Sequence, residues 1–448
     1  MSTEAKSAPH PATWVPTAYL SEGIPFAMVI WVAGTMFKDL GHSDSEITLA
    51  TASVGIMWSL KPLYAGFLDM FQTKRFWVLA MEFVMAVLLG VMGFSLALPN
   101  YFNVVLLILW LLAFASATQD ICVDGIYITT LDKPRQAAWV GLQGAFWVTG
   151  RIFATSVVVL LAGSLQKRAG LDGKVAWTIA LSTSAAVMTA LGIYHYFRLP
   201  TGSVPVRPSG PSEILSTFLD QIADFLRKPK IWLMLLFVFL YRSGEGFLLV
   251  EAPLFMQAKL SLGGLGLSLE NKGLIDGLIS TIVSLGGGIA GGAFIARYGL
   301  KRTLIFMACC MNVPHLCYVA LSQLATPDAP LSFLTIGTFV TIEKFGYSFG
   351  FVANMLYMMQ QISPGKYHMT HYAFCTALMN LVLIPTQMAS GPIADAIGYK
   401  SFFLFVMIAS IPSIIAAWLA PFPNTPGATA DETASEQNSD RGRAAEAV

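Results

Sequence analysis

Apolar residues in this chain come in long runs, and polar residues gather in the short intervals between them. The runs fall at about 13–37, 46–70, 76–98, 101–129, 136–163, 174–197, 230–256, 271–298, 302–322, 331–360, 369–395 and 398–421. About 20 apolar residues wound as an α-helix cross the hydrocarbon of a bilayer, so the pattern predicts twelve membrane helices. Those longer than about 25 residues must tilt or project beyond the hydrocarbon. Composition agrees: 55% of residues are hydrophobic and 12% charged, against about 25% charged in soluble domains. Net charge is +1, so no basic surface suggests a nucleic-acid partner. Cys122, Cys309, Cys310, Cys317 and Cys375 lie in apolar runs without metal-ligand spacing and read as free thiols. The first run is too long for a signal-peptide core and is expected to remain as a helix.

Basic residues set the orientation, because positive loops stay in the cytoplasm. Even-numbered loops carry Lys74, Arg75, Lys133, Arg135, Arg198, Arg207, Arg227, Lys228, Lys230, Arg297, Lys301, Arg302 and Lys366. Odd-numbered loops carry fewer: Lys38, Lys167, Arg168, Lys174, Lys259, Lys272 and Lys400. Both termini are therefore expected in the cytoplasm. The chain divides into a polar N-terminus (1–12), a six-helix half (13–198), a central loop (199–229), a second half (230–422) and a tail (423–448). Ile214, Leu215, Phe218, Leu219, Ile222, Phe225 and Leu226 recur at helical spacing in the central loop. They predict an amphipathic helix, either on the membrane surface or packed beneath the bundle. The tail lacks the apolar residues needed to fold.

The halves repeat one another. Glu22 and Glu245 are 223 residues apart, and so are Asp120 and Glu343. One offset for both acidic pairs implies equivalent positions in spans 1, 7, 4 and 10. Further ionisable residues sit inside the runs: Lys61, Glu82, Asp124, Arg151, Arg242, Asp276 and Lys344. A charge in hydrocarbon costs about 2.5–3.5 kcal/mol even on insertion scales unless it faces a partner or a cavity. The set therefore implies a polar cavity between the halves, with Asp120 and Glu343 facing it and Lys61 and Arg151 supplying positive charge. Asp120 and Asp124 share a helical face. The histidines form no ligand motif, so no metal or other cofactor is expected, and the carboxylates suit proton binding. Gly23, Pro25, Pro62, Gly244, Gly246 and Pro253 predict helix breaks beside these charges. Aromatics near them, Trp31, Trp58, Trp147 and Tyr347 among them, suit stacking on a ring.

Three segments resemble the loop signature of the major facilitator superfamily: GFLDMFQTKR (66–75), GAFIARYGLKR (292–302) and GPIADAIGYK (391–400). They nominate Asp69, Lys74, Arg75, Arg297, Lys301, Arg302 and Asp395 for gating. Ala296 stands where the signature has an acid, and the first segment lacks the second glycine. The stretches WSLKPLYAGFLD (58–69) and ATQDICVDG (117–125) resemble motifs of AmpG-type muropeptide permeases and acetyl-CoA transporters. EKFGYSFGF (343–351) and the segment around His371 resemble AmpG-like permeases of glycan-using bacteria. The resemblance implies an all-α major facilitator fold of twelve helices in a bacterial inner membrane. It also implies substrate movement through a central cavity. Together with the buried carboxylates it leads us to expect a monomeric secondary transporter importing a small molecule with protons, with a muropeptide, amino sugar or related glycan fragment as the expected cargo. Other organic anions, such as a siderophore or acyl-CoA, are alternatives. A non-transporting membrane sensor and a membrane-embedded enzyme are readings of other classes. The expected substrate and proton residues, from the charges inside the runs and these motifs together, are Glu22, Lys61, Asp120, Asp124, Arg151, Arg242, Glu245, Glu343, Lys344, Tyr347 and His371.

Overall fold

Long apolar runs leave the backbone one way to satisfy its hydrogen bonds in lipid, within each segment. The computed structural model is accordingly helical, with no strand among the described residues. It describes residues 9–424 except 62, 65–67, 69–71, 132, 203–209 and 366. The tail expected to be unfolded and the gating candidate Asp69 lie outside that set.

The first half holds α1 (Pro11–Asp39), α3 (Lys74–Ser95), α4 (Tyr101–Thr130) and α6 (Gly173–Arg198). Between them, α2 is pieced from Asp44–Thr51, Ala52–Gly55 and Ile56–Ser59, and α5 from Lys133–Ile152, Phe153–Val158 and Val159–Ala169. The second half holds α7 (Ile231–Gln257), α8 (Leu269–Tyr298) and α9 (Leu300–Leu324). It continues with α10, Phe333–Tyr357 extended by Met358–Ile362. Last come α11 (368–397) and α12 (399–419), which meet at Gly398, whose φ of 73° turns the chain where a side chain would be strained, and α12 has a turn at Ser410. Among the described residues, nine stretches are long and apolar enough to span a membrane, one of them covering both α11 and α12. Only α2, partly outside the described residues, and α10, interrupted by Glu343 and Lys344, fall short of that measure.

Each half has its own core. Ile24, Met85, Leu89, Leu112 and Trp177 meet in the first; Phe237, Met307, Ala353 and Tyr357 meet in the second. Glycine sets the tightest crossing. A Cβ on Gly150 would stand 2.4 Å from the Leu20 carbonyl oxygen, and one on Gly23 would stand 2.2 Å from that of Trp147. Only hydrogen fits there, so α1 and α5 lie backbone to backbone. Between the halves, α2 packs on α11 and α5 on α8. A twofold axis exchanging each helix with the one six places later converts one pair into the other, as the sequence repeat requires.

The central-loop helix (Pro211–Leu226) forms where the apolar spacing predicted it. One face of it packs beneath the bundle and the other is exposed. Phe218 and Phe225 pack against Phe374 of α11, while Leu215 and Leu219 remain exposed. Lys228 then donates to the carbonyls of Ile362 and Pro364, each at 2.6 Å, tying this helix to the end of α10.

Gly150→Leu is expected to lower the thermal unfolding temperature of purified protein, because overpacking costs about 1–3 kcal/mol. Gly144→Leu is the control on the same helix, with nothing within 4 Å of its Cβ. Equal unfolding temperatures would contradict the close α1–α5 crossing.

Candidate functional site

Two neighbouring cavities lie on the inner faces of the halves. The first, about 240 Å³, is bounded by Trp31 and Thr35 of α1, Arg151 of α5, Lys272 and Asp276 of α8, and Lys344 and Tyr347 of α10. The second, about 210 Å³, is bounded by Phe26 of α1, Trp58 and Lys61 of α2, Asp120 of α4, Trp147 of α5 and Asn380 of α11. Phe26 packs against Trp31, Trp58 and Trp147 with ring centroids 4.8–5.6 Å apart, so an aromatic cluster joins the two.

The first cavity is electropositive. Three cations line it against the single carboxylate of Asp276. Lys272 donates to Thr35 Oγ1 at 2.7 Å and to Asp276 Oδ2 at 3.3 Å. Lys344 pairs with Glu343 at 3.2 Å. The Arg151 guanidinium stacks 4.3 Å from the Trp31 ring centroid, and no carboxylate among the described residues pairs with it. A half-buried guanidinium without a carboxylate leaves donors for an anion. The second cavity is balanced, since Lys61 and Asp120 form an ion pair. Behind it Glu22 is buried beside Lys61, Asp124 and Trp147, and the Tyr19 hydroxyl donates to Asp124 Oδ1 at 2.7 Å.

The sequence candidates thus separate. Lys61, Asp120, Arg151, Lys344 and Tyr347 line the cavities, while Glu22 and Asp124 stand behind them. The expectation for Glu343 needs correction: it is turned into the second half, accepting from Tyr318 of α9 at 3.4 Å, and Lys344 is what α10 presents. Arg242 and Glu245 form a buried bidentate pair at the break in α7. His371 is also away from the cavities, buried under the central-loop helix 3.2 Å from the Gln221 carbonyl oxygen. Lys272 had counted as a loop charge, yet it is buried at the start of α8. Its spacing of four from Asp276, an ion-pair spacing on a helix, was the available signal.

The gating candidates lie at opposite ends. On the even-loop side, Lys74 lies across Gly125 of α4, Arg75 donates to the Tyr196 carbonyl of α6, and Arg297, Lys301 and Arg302 are exposed. On the odd-loop side, Asp395 accepts from the amide and hydroxyl of Ser45, crossing between the halves. The Tyr399–Asp44 hydrogen bond and Glu270, which accepts from Ser164 at 3.0 Å and Lys167 at 3.1 Å, close the same end.

The Major Facilitator Superfamily model matches residues 17–373. The anhydromuropeptide permease of Escherichia coli is 23% identical over 402 residues, spanning 88% of this chain and 76% of that protein. Among solved structures, a bacterial homolog to the human lysosomal transporter Spinster, inward-facing and unoccupied, superposes with a TM-score of 0.71. It is 14% identical, with 90% of this chain and 96% of that one covered. The nucleoside transporter NupG gives a TM-score of 0.68 at 14% identity, covering 91% of this chain and 98% of its own. These structures share the fold.

A Ser45→Cys, Asp395→Cys double variant with a protease site in the 199–229 loop is expected to cross-link on oxidation. After cleavage its halves should migrate together on a non-reducing gel and separate with reductant. Separation without reductant would contradict closure at the odd-loop end.

Proposed function

The chain belongs to the major facilitator superfamily, and on that premise we propose that it imports an anionic, amino-sugar-containing cell-wall fragment together with protons. At the coarser level it is a multi-pass membrane transporter, not an enzyme. The observation that carries the finer reading is the cationic cavity between the halves, where Arg151, Lys272 and Lys344 face one carboxylate. Carboxylate groups on the cargo complement that charge, and the adjoining Phe26, Trp58 and Trp147 offer faces for a sugar ring. Likeness to an anhydromuropeptide permease supports the same class.

The proposed cycle follows from the charges. Lys61 and Asp120 satisfy one another while the proton site is empty. A proton on Asp120 removes that attraction and frees Lys61, and Glu22 and Asp124 hold further carboxyl groups beside the pair. Moving the opening from one side to the other changes the hydration of this cluster, and with it the proton affinity. We place the odd-loop end outside and both termini in the cytoplasm of a bacterial inner membrane, following the basic loops. The halves of this proposal are residues 13–198 and 230–422, joined by a cytoplasmic 199–229 linker and acting within one monomer.

Uptake of a muropeptide into proteoliposomes with an imposed pH gradient tests both parts. Lys61→Met is expected to cut uptake, normalised to the protein present in the membrane, about tenfold or more, since a hydrogen bond to a charged group is worth about 1.5–3 kcal/mol. Asp120→Asn is expected to remove the response to the gradient, as a protonophore does in the wild type. Uptake that ignores the gradient in the wild type would rule out coupling, and full uptake by Lys61→Met would remove that residue from the site.

A further inference from the structure

One buried acid has no place in the cavity chemistry. Glu251 of α7 has no exposed surface, and neither carboxylate oxygen has a hydrogen-bond partner. It lies at the closed odd-loop end, where it meets the other half of the protein. The stretch of α7 that carries it packs on the Asp44–Thr51 stretch of α2 and on the Lys38 end of α1, and Asp44, Asp395, Tyr399 and Lys38 are the charged and titratable groups around it.

Asp44 is fully provided for as an anion. Lys38 pairs with one of its oxygens and the Tyr399 hydroxyl donates to the other. It also occupies the first turn of α2, behind a capping box formed by Ser43 and Glu46, where the helix dipole favours a negative charge. Asp395 accepts both the amide and the hydroxyl of Ser45. The hydrogen bonds that reach this cluster go to Asp44 and Asp395, and none reaches Glu251. An ionised Glu251 would be a dehydrated charge without a donor, against a second carboxylate, an arrangement costing several kcal/mol. A neutral Glu251 carries an O–H that can donate to Asp44, which meets both needs.

We propose that Glu251 is a second proton-binding site, outside the substrate cavities, at which a proton shared with Asp44 holds the odd-loop end closed. The two residues belong to different halves, so opening this end parts them and admits water to Glu251. The proton then leaves, and closing again requires one from the compartment at that end. Closure is thereby linked to the pH there, whatever the cargo is and whether or not Asp120 couples transport to protons.

The test is a spin-label distance measurement in nanodiscs, with labels at Ala169→Cys and Leu262→Cys, both exposed at this end on opposite halves. The five native cysteines are first replaced. Between about pH 9 and about pH 5 the ratio of closed to open distances should rise about tenfold per pH unit across the titrating range, as uptake of one proton on closing requires. Glu251→Gln, a neutral isostere with its own donor, should stay closed with no pH dependence, and Glu251→Met should also lose the dependence. A wild-type ratio indifferent to pH overturns the proposal without recourse to any variant. So does a Gln variant that keeps the wild-type slope, or a closed fraction that follows sodium concentration at fixed pH, which would make this a metal-cation site.

Discussion

A charge that enters the hydrocarbon must find a partner, a cavity or water. That constraint organises the molecule. Arg242 closes on Glu245 within one turn of α7, Lys61 reaches from α2 to Asp120 on α4, and Glu82 and His195 meet 2.7 Å apart in the first half. Arg151 has no carboxylate partner among the described residues: it lines a shared cavity, with the face of Trp31 as its neighbour. A protein that only needed stable helices would neutralise such a group. A protein that must receive an anion and then release it benefits from a cation held by aromatic contact, since no internal carboxylate has to be displaced.

The same economy governs how the halves meet. Glycines set close crossings both within a half, as at Gly23 and Gly150 between α1 and α5, and between halves, as at Gly391 against the Asp44 carbonyl. Contacts between halves are of two kinds. The α2–α11 and α5–α8 pairs run alongside the cavities, and small polar clusters seal the odd-loop end. Clusters such as Ser45–Asp395 and Lys167–Glu270 can separate into water at modest cost, because exposed pairs contribute about 0–1 kcal/mol each. Polar contacts that can part into water at one end suit a fold whose halves move against each other.

Much of this was legible in the sequence. Apolar run length gave the helices, and the common spacing of Glu22 with Glu245 and Asp120 with Glu343 gave the duplication. Lys61, Asp120, Arg151 and Lys344 were visible because charge inside an apolar run demands a reason. The limits had physical causes as well. Repeat equivalence fixes a position along a helix but not which way a side chain turns, so Glu343 faces Tyr318 while its neighbour Lys344 takes the cavity. Lys272 was hidden by lying at a helix end, where a buried lysine and a loop lysine read alike. His371 is masked by the central-loop helix, whose docking on α11 depends on the meeting of Phe218, Phe225 and Phe374 rather than on any one segment's pattern.

The central claim is that the cationic cavity recognises the negative charge of its cargo. Titration of the purified transporter with a muropeptide, followed by quenching of fluorescence from Trp31, Trp58 and Trp147, tests it most directly. The account predicts saturable quenching that weakens about tenfold or more when the carboxylates of the ligand are amidated, since a hydrogen bond to a charged group is worth about 1.5–3 kcal/mol. Equal affinity for the charged and amidated ligands would contradict it.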